Sequence, residues 1–241
     1  MELKNIRVVL VEPSGAINIG SIARLCKNFG IKDLRMVSPK CDPSNPEAIR
    51  MAVKGRDLLI NAKAHLSLIS AISDCQRVIA TCGRIDHGDI PIHTIREASE
   101  WLSEASSETS IAIVFGREDR GLTNQELLLA NKVVSIETSP LYPSLNLSHS
   151  VAIILHQFFY SNFNKNKVFI NPAFPIEIED LLKDARKLLL EIGFLLEHTS
   201  KARMSKLRKL LNRAEIKPEE VSLIRGILRQ VRWAIKNMDD I

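Results

Sequence analysis

Five runs of nearly continuous apolar residues, 6–12, 34–38, 77–82, 111–116 and 133–137, punctuate the first 160 or so residues, and the gaps between them carry helical patterns. A run that is apolar on both sides can leave neither side to water. Such runs belong in a parallel sheet covered by helices on both faces. The helical patterns lie at 19–29, 46–54, 64–73, 95–103 and 124–130, with a further apolar one over 145–159. This alternation predicts an α/β fold around a parallel sheet. Gly30 stands where the first helix needs a stop. Thr123, with Glu126 three residues on, makes a capping-box pattern.

The pattern then changes. Asn162, Asn164, Asn166, Asn171, Pro172 and Pro175 make a polar, proline-containing linker around 163–176. Beyond it only helical periodicity remains, over 178–194, 201–211 and 218–236, the last opened by Pro218. The expected organisation is an α/β domain at 1–162, the linker, and a small all-helical extension at 177–241. Charge divides at nearly the same place. The first 164 residues hold 17 basic and 17 acidic residues, and the remainder holds 16 and 11, so the net charge of +5 resides in the tail. Within it Lys201, Arg203, Lys206, Arg208, Lys209 and Arg213 occur with no acid among them. Such a stretch attracts polyphosphate by counterion release, and a solvated helix face has the same composition.

Composition closes off other classes. With 45% hydrophobic and 25% charged residues, the 241-residue chain is globular. No apolar run approaches the ~20 residues of a bilayer span, and the N-terminus lacks the apolar core of a secretion signal. A cytoplasmic setting without membrane attachment is expected. Cys26, Cys41, Cys75 and Cys82 are spaced by 15, 34 and 7 and include no CxxC, so they read as reduced thiols and no metal is expected.

Three junctions carry polar groups where a strand meets a helix. The first runs from Glu12 through Asn18, a candidate helix cap, to Arg24. Its Gly15 and Gly20 form neither GxGxxG nor a phosphate loop, which disfavours a nucleotide-binding Rossmann unit or a P-loop NTPase. The second, Phe115 to Asn124, has two arginines and two acids between glycines, a pattern that suits a salt-bridged turn with Glu118 paired to an arginine. The third, Thr138 to Ser150, is rich in hydroxyls and amides, and Ser144 or Asn146 could cap the following helix.

Together these segments resemble the three ordered motifs of SPOUT-class RNA 2′-O-ribose methyltransferases: Asn18-Ile19-Gly20-Ser21-Ile22-Ala23-Arg24, then Phe115-Gly116-Arg117-Glu118 with Gly121-Leu122-Thr123-Asn124, then Ser144-Leu145-Asn146-Leu147-Ser148. The Tyr142-Pro143-Ser144-Leu145-Asn146-Leu147 wording and the helical tail are similar to the TrmJ-like branch, the tRNA (cytidine/uridine-2′-O)-methyltransferases. The resemblance implies a parallel-sheet α/β fold with a C-terminal trefoil knot, S-adenosylmethionine as cofactor, a homodimer with each site at the subunit interface, and tRNA as substrate at position 32 of the anticodon loop. It assigns Thr81, Cys82, Gly83, Gly116, Ile136, Pro143, Ser144 and Leu145 to the cofactor. Arg24 falls beside the ribose and its phosphate, with Asn18, Glu118, Ser144 and Asn146 as the other motif polar groups. The tail cations become the tRNA grip. Ribosomal RNA as substrate and a non-catalytic RNA-binding module are the alternatives.

Overall fold

A computed structural model of the chain describes residues 5–83, 88–106, 108–139, 141–160 and 171–237. It comprises two compact units, Met1–Ile170 and Asn171–Ile241. The first is built on seven strands: β1 (Ile6–Val11), β2 (Asp33–Val37), β3 (Lys63–His65), β4 (Arg77–Thr81), β5 (Ile92–Thr94), β6 (Ile111–Phe115) and β7 (Lys132–Ser135). All pair in parallel, in the order β3-β2-β1-β6-β4-β7-β5. The α/β class expected from the alternation is the one adopted. Val8 and Leu10 of β1 point to one face with Ile113 and Phe115 of β6, while Val9, Val11, Ala112 and Val114 point to the other. This is the period of two applied to strands buried on both sides. Helices α1 (Ala16–Asn28), α2 (Pro46–Ala52), α3 (Arg56–Ile60), α5 (Ile95–Ser103) and α7 (Leu147–Tyr160) cover the first face; α4 (Leu68–Ile72) and α6 (Asn124–Leu127) cover the second.

The outermost strands β3 and β5 escape the sequence pattern. Each has three residues, lies at a sheet edge and is partly exposed, so neither needs an apolar run. The helix expected over 64–73 therefore begins as strand, and turns helical only at Leu68, where the Ser67 hydroxyl accepts from the Ser70 amide. The helix expected over 46–54 stops at Ala52 because Val53 takes φ 49°; a 3-10 turn, Val53–Gly55, leads into α3. Helix α1 begins at Ala16, capped by Gly15, so Asn18 lies inside its first turn and is not its cap. Gly30 (φ 72°) does close α1, with the Ile31 N–H donating back to the Cys26 carbonyl at 2.9 Å. The Thr123–Glu126 capping box also forms.

The second unit contains α8 (Pro175–Glu191), α9 (Glu197–Ala214) and α10 (Pro218–Lys236) around its own core of Ile178, Leu181, Leu182, Leu211 and Val221. Helices α8 and α10 start with one device: proline first, and a glutamate accepting the N–H just before it (Phe174 to Glu177, 2.8 Å; Lys217 to Glu220, 2.7 Å). Since α8 begins at Pro175, the last two residues of the expected linker are helical, and 163–170 lie outside the described residues. Among the described residues no helix is long and apolar enough to cross a membrane.

Candidate active site

Because every strand runs the same way, the loops after β1, β4, β6 and β7 emerge at one edge of the sheet, where open α/β sheets bind ligands. A cavity of about 490 Å³ lies there, within the ordinary range for small-molecule sites. All eight residues expected to meet a cofactor line it: Thr81, Cys82 and Gly83 after β4, Gly116 after β6, Ile136 after β7, and Pro143, Ser144 and Leu145 before α7. Glu118 lines it too. The first loop is pinned on both sides. The Thr81 hydroxyl donates to the Val114 carbonyl (3.2 Å) and the Cys82 amide to the Val134 carbonyl (2.8 Å). Val134, Ile136, Leu145 and Leu147 supply apolar wall. Among the described residues no atom lies within 4 Å of where a first side-chain carbon at Gly83 would sit.

Gly116 is also constrained from within its own loop: a methyl there would sit 2.2 Å from the Gly121 carbonyl carbon. The charged loop folds back on its own first residue, with Arg117 and Gly121 bonded N–H to carbonyl in both directions (3.3 and 3.0 Å). The glycine lets this tight return close.

The three junctions meet through a chain of hydrogen bonds. The Glu118 carboxylate accepts from the Ser14 amide (3.2 Å) and hydroxyl (3.1 Å), the Gly15 amide (2.9 Å) and the Asn18 side-chain amide (3.2 Å). Burial opposes the carboxylate charge, but the donors, led by Gly15 and Asn18, outweigh it and hold the carboxyl below its ordinary range. Asn18 Oδ1 in turn accepts from the Asn146 side-chain amide (3.0 Å). Asn146 Oδ1 accepts from the Ser148 amide (2.9 Å) and hydroxyl (2.7 Å) and so caps α7. Of the two proposed caps for this helix, Asn146 is the one used. Ser144 stays exposed at the cavity rim.

Among the described residues the expected pairing of Glu118 with an arginine does not form. Arg117 instead bridges Glu12 at the end of β1 and Glu126 of α6, the latter through two bonds of 2.9 and 3.0 Å. Sequence reasoning missed Glu12 and Arg117 as parts of the site. The legible signal was Glu126, whose capping role fixed its position next to the loop. Ser14 and Gly15, also missed, carry no side-chain signature, because two of their three bonds use backbone amides.

Arg24 stands apart. It is exposed on α1, lines no part of the cavity, and makes no side-chain hydrogen bond or ion pair among the described residues. Helical geometry explains this. Six residues rotate Arg24 about 240° and carry it about 9 Å from Asn18, away from its own chain's network.

In the helical unit the six basic residues also part company. Arg208 pairs with Glu179 of α8, both only about one-fifth exposed. Arg203 donates to the Phe194 carbonyl (2.6 Å) and lies over its ring. Lys206, Lys209 and Arg213, at spacings of three and four, share one face of α9, and Lys201, Lys206 and Arg213 are exposed.

A parallel α/β sheet thus carries at its carboxyl edge a cavity of small-molecule size, walled by apolar side chains and braced by amide–carboxylate bonds. Residues 5–156 match the model of the SpoU rRNA Methylase family, and the chain belongs to that family. Residues 176–240 match the model of the C-terminal domain of tRNA methyltransferase TrmJ. The tRNA (cytidine/uridine-2′-O-)-methyltransferase TrmJ of Escherichia coli K12 is 34% identical over 236 residues, 95% of this chain and 96% of that protein. Its namesake in Pectobacterium atrosepticum is 33% identical, with 95% and 98% covered. The crystal structure of TrmJ from Z. mobilis ZM4 matches with a TM-score of 0.81 at 28% identity, covering 94% of this chain and 98% of that one.

Proposed function

We propose that this chain transfers the methyl group of S-adenosylmethionine to the 2′-hydroxyl of a cytidine or uridine ribose in tRNA, at position 32 of the anticodon loop, in a cytoplasmic setting. The observation that carries the reading is the Glu118–Asn18–Asn146 chain, which ties the three motif segments together around a cavity of suitable size. The match of the tail to the TrmJ C-terminal model favours tRNA over ribosomal RNA. The interleaved order of β6, β4, β7 and β5 is compatible with the trefoil knot that the resemblance implies.

The residues present fit the cofactor. Ile136, Leu145 and Leu147 offer apolar faces for an aromatic base, and the backbone at Gly83 is open to the space beside them. The sulfonium methyl is itself electrophilic, so the bound cofactor supplies the reactive carbon. The protein must align the 2′-oxygen and help its proton leave. Alignment can contribute about 7–11 kcal/mol. Glu118 is a poor proton acceptor, since four donors already occupy its carboxylate. It is a positioning residue that sets α1 against α7. Arg24 offers a forked guanidinium that suits phosphate oxygens. It binds the adjacent phosphate and stabilises negative charge growing on the 2′-oxygen. Since it turns away from its own cavity, it serves the cavity of a second copy, and the active species is a homodimer.

The test is methyl transfer from labelled S-adenosylmethionine to total tRNA and, in parallel, to total ribosomal RNA. Label in tRNA supports the proposal. Label confined to ribosomal RNA keeps the reaction and moves the substrate; label in neither, with the cofactor bound, contradicts it.

A further inference from the structure

Arg24 has cationic neighbours that none of the three motifs contains. The Val53–Gly55 turn lies directly against α1. A methyl group built on Gly55 would sit 2.5 Å from the Ala23 carbonyl oxygen and 2.8 Å from the Arg24 backbone nitrogen, so only glycine permits this approach. Lys54 and Arg56 flank that glycine. With ~3.8 Å between consecutive Cα atoms, both are held with their Cα atoms within roughly 10 Å of that of Arg24. All three side chains are exposed, and none makes an ion pair among the described residues. The neighbouring acid, Asp57, is occupied by Lys27 of α1 at 2.7 Å.

The turn is also strained. Val53 is β-branched, 55% exposed and at φ 49°, a region such residues avoid. Strain of this kind persists where surrounding structure imposes it, and it clusters at working sites. Here Gly55 packed on α1, with Ala52 and Leu59 buried on either side, imposes it. The consequence is a turn that projects two cations beside a third.

We propose that Lys54 and Arg56 extend Arg24 into a phosphate-binding surface on the catalytic unit, gripping the RNA backbone next to the reacting ribose. This rests on the reading of an RNA substrate and adds where the backbone is held. A flexible ammonium and a forked guanidinium suit phosphate oxygens, and each phosphate neutralised adds about 0.7–0.9 to the slope of log affinity against log salt.

The experiment compares the full-length protein with the K54A/R56A variant. RNA binding is measured from 50 to 200 mM salt, roughly the range over which counterion release is steep, alongside steady-state methyl transfer. The variant should bind RNA about tenfold more weakly and show a salt slope smaller by about 1.4–1.8. Its KM for RNA should rise while kcat at saturating RNA stays within about twofold, since neither residue touches the reacting atoms. K54R/R56K should restore affinity and slope. An unchanged slope and KM in a folded K54A/R56A protein overturns the proposal. So does a K54R/R56K variant as weak as the alanine one, because the effect would then be packing. Methyl incorporation into ribosomal RNA alone would sink the tRNA reading, while the same comparison run on that RNA still decides the surface.

Discussion

Beside the cavity, Glu118 accepts from four donors, and Asn18 and Asn146 each bond on two sides, so these three groups hold one another in place. Along α9, Lys201, Lys206 and Arg213 stand exposed without an ion pair among the described residues, while Arg208 is drawn inward to Glu179. The contrast separates two kinds of function. A reaction centre depends on placement, so its groups are braced and losses there are steep and coupled. A polyanion grip depends on summed charge, so its groups are free and losses there are gradual and salt-dependent. Arg24 is instructive because under the proposed function it belongs to the first kind by role, while its environment is of the second kind; the second copy of the chain proposed above would reconcile the two.

The largest effect should come from Arg24. Arg24→Ala is expected to lower single-turnover methyl transfer by about 10³-fold, the scale of losing a charge that stabilises a developing oxyanion. Its affinity for S-adenosylmethionine, read by equilibrium dialysis, should match the parent. Mixing it with an Asn18→Ala/Glu118→Gln chain should recover activity, because a hybrid of the proposed dimer would hold one intact site. Glu118→Gln keeps the shape but loses the charge that its four donors address. A fall in kcat of roughly 10-fold to 10²-fold is expected with little change in RNA affinity; a change in affinity alone would erase the distinction between braced and free groups.

Next in size is the triple variant K206A/K209A/R213A. It should weaken RNA binding about tenfold and reduce the salt slope by about 2, with cofactor affinity intact. Arg208→Ala, one residue from Lys209, should behave in the opposite manner. It leaves Glu179 without its partner and should lower the stability of the helical unit by about 1–3 kcal/mol, visible in urea melts, while the salt slope moves less than for the triple variant.

The smallest effect concerns acid. Arg35 is buried and grips Asp33 and Asp74, and its hydrogen bonds hold the Asp74 carboxyl far below the usual range. Asp33, Glu118 and Glu126 are also lowered: burial opposes each charge, and the hydrogen bonds to Arg35 and Lys63, to Gly15 and Asn18, and to Arg117 prevail. A depressed carboxyl stabilises the fold above its unfolded value and loses that contribution as pH falls towards its folded value. Stability should therefore be flat near neutrality and fall below about pH 4. Asp74→Asn should flatten that fall; an unaltered acid slope would place the effect elsewhere.

Much of this was legible in the chain itself. The central strands announced themselves because burial on both faces forces apolar runs, and Gly30, Thr123 and Asn146 marked helix ends through chemistry local to a few residues. The edge strands β3 and β5 did not, since three residues paired on one side need no distinctive composition. Val53 could not be foreseen either, because its backbone conformation is imposed by Gly55 packing on a helix 30 residues earlier in the chain. At the site, eight lining residues followed from motif resemblance. The roles of Ser14 and Gly15 as partners of Glu118 did not, because backbone amides leave no mark in a sequence, and charge counting pointed to an arginine in their place.

The most direct measurement is the chemical identity of the product. tRNA methylated with labelled S-adenosylmethionine would be hydrolysed in alkali, which cleaves beside a free 2′-hydroxyl and spares a methylated one. Label is expected in an alkali-resistant dinucleotide whose 5′ residue is 2′-O-methylcytidine or 2′-O-methyluridine from the anticodon loop, absent with Arg24→Ala. Label released as an alkali-labile mononucleotide would mean methylation of a base, and would contradict it.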